Sequence, residues 1–370
     1  MSLTISRLIT INHDQNPQIT LNRIFNALEL RSKTNEQYYI NNGNEILNNE
    51  SISTFFKMLL FSILTIFQNI ILHTAYHGGF INVDYISKRM TYILNHLTYI
   101  EAHIENSNNS RLSSWFAVNT GCIDLLNQSN GSSNHQSEDL LNNILHQLMV
   151  DENQLPNSLY LNKLNHFLFL SEHLISKLSI EYSMNKILTI CDNYLEDSSN
   201  IALFETSHYV ILKFISVNYQ DVSLTFHQNF IDRIMNYTIT LLKVCDQLSF
   251  QQFRIAFESV VSSISKFSID LSQWCLQGLL DANENVNNKQ TKSKTSLTLM
   301  SLINVIPKSM LVDYLNSVDN IINDVDNAEI RDDLLKISLS SIKSIDDEDN
   351  LGISLEWWFK ISQIKIKSKL

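Results

Sequence analysis

His73 and His77 are the first residues in the chain whose type and spacing could do chemistry. Four apart on a helix, they set both rings on one face, as a zinc peptidase requires. The glutamate of that motif is missing, because Thr74 stands in its place. The pair therefore reads as two ordinary helix-face histidines. His96 with His103, and His166 with His173, lie two turns apart and read the same way. Ser, His and Asp all occur, but no Gly-x-Ser-x-Gly turn marks a nucleophile. Gly78-Gly79 reads as a helix end rather than a phosphate cradle, since no Lys-Ser/Thr follows. Cys122, Cys191, Cys245 and Cys275 are far apart and form no Cys-x-x-Cys pair, so buried free thiols are expected. Trp357-Trp358 could be a ligand platform. Trp357, Ile361 and Ile364 share a helical face, which favours an anchor and leaves the two tryptophans as a candidate partner surface. The expectation is no catalytic residue, no metal set, no cofactor and no enzyme. A flavin or nicotinamide enzyme would carry a Gly-rich phosphate turn.

The elements that must position these residues are helical. The 370 residues include only 7 Gly and 3 Pro, too few for turn-rich sheets. Apolar residues recur at helical spacing almost throughout. Helices are expected near 17–30, 51–74, 82–105, 111–127, 138–150, 158–180, 184–195, 200–216, 223–246, 249–266, 270–281, 295–305, 308–325, 327–343 and 351–365. Ser249 and Gln252 form a capping-box pattern. Asn200 is placed to cap the helix carrying Ala202, Phe204, Val210 and Phe214, Pro307 suits a first turn, and Asp326 with Glu329 repeats the capping logic. Loops are expected at 41–50, 105–110, 127–137, 151–157, 196–199, 217–222, 282–294 and 344–350, with 283–294 the most polar and mobile. The stretch 127–136 reads as a seam, giving an N-terminal helical part (1–135) and a C-terminal solenoid (136–367). About 15 helices with short loops stack most naturally as an all-α, irregular armadillo- or HEAT-like α-solenoid. An irregular helical bundle is the alternative, since no clean repeat period shows.

The net charge is −11 and no basic stripe appears, which argues against nucleic acid as a partner. Asp346 to Asp349 reads as a solvated loop before the last helix. No signal peptide opens the chain. From Met58 to Phe67 the sequence is uncharged, and Ile70-Ile71-Leu72 extends the run past Gln68-Asn69. A spanning helix needs about 20 mainly apolar residues, so a buried core helix is expected, with shallow membrane attachment as the lesser reading.

The chain ends Ser368-Lys369-Leu370. A free Ser-Lys-Leu terminus is a receptor-read address for the peroxisome matrix. Its small residue, cation, leucine and carboxylate suit a pocket that captures C-termini.

The C-terminal two thirds resembles the fungal peroxin-8 family. Four stretches carry the likeness: Ser207-His208-Tyr209-Val210-Ile211-Leu212, Leu248 to Phe257, Ser296 to Ile303 with Ile306-Pro307, and Trp357-Trp358. Their order and the terminal tripeptide match as well. Some relatives carry a second address, Arg-Leu, five residues, His-Leu. Here His13 follows Arg7-Leu8 after four residues and Asp14 comes next, so no second signal is assigned. The resemblance implies a non-catalytic adaptor of matrix protein import. It would bind the peroxisomal targeting-signal receptor, join the docking complex to the RING ubiquitin-ligase complex, and aid cargo release. It would sit peripherally on the inner face of the membrane, without a transmembrane helix. Two other readings differ in what they expect. A helical peroxisomal matrix enzyme needs a deep pocket with shifted pKa values. A helical-repeat protein with an accidental terminus would stay outside the organelle.

Overall fold

A computed structural model describes residues 17–77, 82–100, 113–128, 134–151, 156–217, 224–286, 288–325 and 327–367. All regular structure in these residues is helical. The helices are α1 (Pro17–Asn48), α2 (Glu50–His77), α3 (Val83–Asn95), α4 (Ser113–Gln128), α5 (Asn134–Asp151), α6 (Asn157–Leu174), α7 (Ile180–Tyr182) and α8 (Leu188–Asp192). They continue as α9 (Ile201–Ser216), α10 (Leu224–Lys243), α11 (Phe250–Ile264), α12 (Ile269–Asn285), α13 (Lys289–Ser301), α14 (Lys308–Asn323), α15 (Ala328–Ile342) and α16 (Glu348–Lys367). A π turn at Ser183–Ile187 joins α7 to α8.

The chain divides into two compact units, residues 1–192 with 200–210, and residues 193–199 with 211–370. The polar stretch 127–136 falls in the first of them. Within each unit the substantial packings join a helix to its neighbour or its next neighbour. In the first unit these include α1 on α3, α2 on α4, α3 on α5 and α4 on α6. In the second they include α10 on α12, α11 on α13, α13 on α15 and α14 on α16. Such near-neighbour stacking is the logic of a solenoid, where each repeat buries its apolar face on the adjacent one. The fold is all-α and solenoid-like.

Capping explains many of the Asn and Ser residues. Asn82, Asn200, Ser268, Asn288 and Asn327 each accept a hydrogen bond from a first-turn N–H. Each such cap stabilises its helix by about 1 kcal/mol. The capping box at Ser249 and Gln252 is complete. The cap of α15 is Asn327, so Glu329 is served by that residue; Asp326 lies outside the described residues. Pro307 occupies the N-cap position of α14 rather than its first turn.

Two expected loops are helix. α1 runs on to Asn48 through a break at Asn42 (φ −131°, ψ 22°). Its inward stripe passes from Leu21, Phe25 and Leu28 to Ser32, Glu36 and Tyr39, and the two polar members interrupt the apolar period. The stretch 283–294 lies mostly in α12 and α13, because Asn283 is buried and accepts hydrogen bonds from Thr295 (2.7 Å) and Ser296 (2.8 Å). The helix expected at 82–105 closes at Asn95, where His96 begins a turn.

The apolar run in α2 is longer than its uncharged core suggests. Gln68 and Asn69 do not break the helix, and residues 50–74 are long and apolar enough to cross a membrane by length and composition. Phe56, Leu60, Ile63, Leu64, Phe67 and Ile70 turn into the first unit's core. Burying each such side chain stabilises by about 2 kcal/mol. On α4, Gly121 lets the backbone come close: a Cβ there would meet Ile71 Cδ1 at 2.9 Å.

Candidate functional site

A buried cluster of ionisable groups lies inside the first unit. Glu36 comes from α1, His96 from the turn after α3, and Lys163 and His166 from α6. Lys163 Nζ stands 2.7 Å from Glu36 Oε1, and His96 Nδ1 stands 2.6 Å from Glu36 Oε2. Lys163 is 2% exposed and Glu36 is 6% exposed. Charges so removed from water persist only when paired. His166 Nε2 donates to Asn119 Oδ1 at 2.9 Å, and Asn119 Nδ2 donates to the Trp115 carbonyl at 3.0 Å. Burial, with the Lys163 charge added, holds His166 down to about 3, so its imidazole is neutral. Burial raises the Tyr99 hydroxyl above its ordinary value, with the Glu36 charge contributing. The cluster is closed to solvent. It ties α1, α3, α4 and α6 together.

The other candidates resolve locally. His73 lies on α2, and the side chain of His77 is outside the described residues, as is His103. His173 is seated against Phe169 with its Nδ1 3.0 Å from the Phe169 carbonyl oxygen. Among the described residues no group of His, Cys, Asp or Glu is placed to hold a metal ion. All four cysteines are buried thiols outside any disulfide. Burial pushes the Cys245 and Cys275 thiols up to about 11 and raises Cys122 further, so these thiols stay protonated.

The second unit carries a groove of about 540 Å³ between α12, α13, α14 and α15. Its apolar floor includes Leu280 and Ile321, and Glu284, Lys289, Lys292 and Asp324 stand around it. Sequence reasoning missed this groove, because part of its wall, from Asn283 to Ser293, comes from the stretch expected to be a mobile loop. Trp357 is buried at 9% exposure, and the half-buried Trp358 donates from Nε1 to the Leu335 carbonyl at 3.1 Å. Phe359 beside them is 55% exposed. Ser368, Lys369 and Leu370 lie outside the described residues.

Helices whose substantial packings are on near neighbours make an all-α, solenoid-like protein. Residues 137–216, covering α5 to α9, match the family model described as the PEX8 central TPR-like domain. The match supports assignment of the chain to the peroxin-8 family of peroxisome biogenesis factors. That assignment implies a peroxisomal location and partners in the import machinery in general terms. The match contains Ser207-His208-Tyr209-Val210-Ile211-Leu212; the other three resembling stretches lie outside it. No curated protein matches the chain.

Proposed function

We propose that this protein is a non-catalytic adaptor of matrix protein import. It binds the targeting-signal receptor on the matrix face and links the docking complex to the RING ubiquitin-ligase complex, aiding cargo release. The observation that carries the reading is the family match over residues 137–216. Two further features support it. A stack of helices offers long faces on which partners can be held by distributed contacts. Ser368-Lys369-Leu370 has the chemistry of a receptor-read terminus. Docking of that tripeptide, combined with a second contact elsewhere on the helical stack, raises effective concentration and lets the protein compete with cargo. Residues 136–367 act in this reading as the partner-binding part and 1–135 as an N-terminal helical part. Trp357 and Trp358 hold the last helix so that Phe359 presents an exposed ring as a partner surface. The protein attaches peripherally to the inner face of the membrane.

The test is deletion of the protein in its own cell, with several tagged matrix enzymes followed. Cargo as a class is expected to stay in the cytosol while membrane remnants persist. If cargo arrives normally and one metabolic step fails, a helical enzyme is the better account. Removing the last three residues is expected to weaken receptor binding. Unchanged affinity would remove the first of the two contacts.

A further inference from the structure

The outward side of α2 does not look like a water-facing surface. A helix on a soluble domain carries charge opposite its packed stripe, and one apolar all round is either buried or in contact with lipid. From Met58 to His77 no Asp, Glu, Lys or Arg occurs. Yet Phe55 is 48% exposed, Met58 65%, Phe61 45% and Leu72 57%. Phe55, Met58, Ser62, Thr65, Asn69 and Leu72 follow one another at alternating steps of three and four, a straight stripe along the helix. The polar members of that stripe have their donors turned away. Ser62 Oγ donates to the Met58 carbonyl at 2.8 Å, Thr65 Oγ1 to that of Phe61 at 2.7 Å, and Asn69 Nδ2 to that of Thr65 at 2.7 Å.

We propose that this face of α2 seats on a lipid bilayer, with Phe55, Met58 and Phe61 entering the boundary between headgroups and acyl chains. Insertion of this kind reaches about 5–10 Å. The helix does not cross, because its other side is packed in the first unit's core through Leu60, Ile63 and Phe67. A protein partner would be expected to use about one hydrogen bond per 100–200 Å² of interface. Side chains already bonded to their own helix offer few handles for that, whereas acyl chains require none. Lys57 lies beside Met58, half-buried, where its ammonium can stay at the headgroup level. With so little charge on the face, attachment is driven by apolar insertion and not by anionic lipid. The inference gives a site to the peripheral attachment proposed above, and rests on that reading only for which membrane is met.

The test uses the full chain carrying Met58→Cys, labelled with a polarity-sensitive fluorophore; the four native thiols are buried. Phosphatidylcholine vesicles are expected to shift the emission to the blue and to float the protein, unchanged in about 1 M salt. In the unlabelled chain, Phe55→Glu with Phe61→Glu is expected to lower vesicle binding about tenfold or more, with helical content and melting unchanged. Phe55→Leu with Phe61→Leu is expected to keep it. Absence of the blue shift, or binding that disappears in salt, overturns the proposal. So does a shift without vesicles that grows with protein concentration, which would make the face a contact between two copies. The import role is read in cells and stands or falls separately.

Discussion

The two compact units bury different kinds of polar group. The first encloses Glu36, His96, Lys163 and His166. In the second, among the described residues, the buried polar side chains are Ser, Thr and Asn, such as Thr238, Asn283, Thr295 and Ser341. These neutral groups bond to carbonyls and to one another: Ser341 Oγ donates to the Ser301 carbonyl at 2.7 Å. Hydroxyls satisfied in this way cost little to bury, whereas each buried charge is tolerated only through its partner. The first unit is thus held by matched charges and is sensitive to what removes one of them. The second is held inside by apolar packing and neutral hydrogen bonds.

The strongest way to break this contrast is Lys163→Met. The substitution leaves Glu36 buried with His96 alone, and removal of one partner from such a pair destabilises by about 3–5 kcal/mol. A thermal melt is expected to separate into two transitions, the first unit unfolding before the second. The double variant Glu36→Gln with Lys163→Met is expected to recover much of the loss. A single transition in Lys163→Met would mean that the two units are not independently held.

Acid sharpens the same contrast. The unfolded chain protonates His166 near its ordinary value of about 6.5, but the folded chain does so only at about 3. Between those values the unfolded state binds the extra proton. The His166 contribution to the stability of the first unit is therefore constant above about pH 6.5. It falls by up to about 1.4 kcal/mol for each pH unit below that, and levels off under about pH 3. Hydrogen exchange in α4 and α6 is expected to accelerate over this window, and His166→Gln is expected to remove that contribution. The smallest effect is a neutral one. Ser249→Ala, at the capping box of α11, is expected to cost about 1 kcal/mol at any pH, measured by denaturant unfolding.

Most of the helices could be read from the chain because their inward faces are apolar at regular spacing, as in Phe253, Phe257, Val260 and Ile264 of α11. The reading failed where the inward face is polar. In α1 the stripe runs through Ser32 and Glu36, and in α13 through Thr291, Thr295, Ser296 and Thr298. No local rule reveals that a glutamate at one end of the first unit meets a lysine far along the chain at 2.7 Å. The groove of the second unit stayed hidden in part for the same reason, since α13, one of its helices, carries that polar pattern. The capping signals succeeded because they are local: Ser249 and Gln252 complete their box within one turn.

The habit of each helix to pack on its neighbour and next neighbour has a consequence in time. A helix leaving the ribosome needs only the two before it to bury its apolar side. Apart from the Glu36–Lys163 pair, sequence separations between the main packing partners stay short, so chain closure is inexpensive in entropy and folding is fast. The protein can therefore assemble in the order it is made, from α1 onward, without holding an unpartnered apolar face in solution while it waits for distant segments.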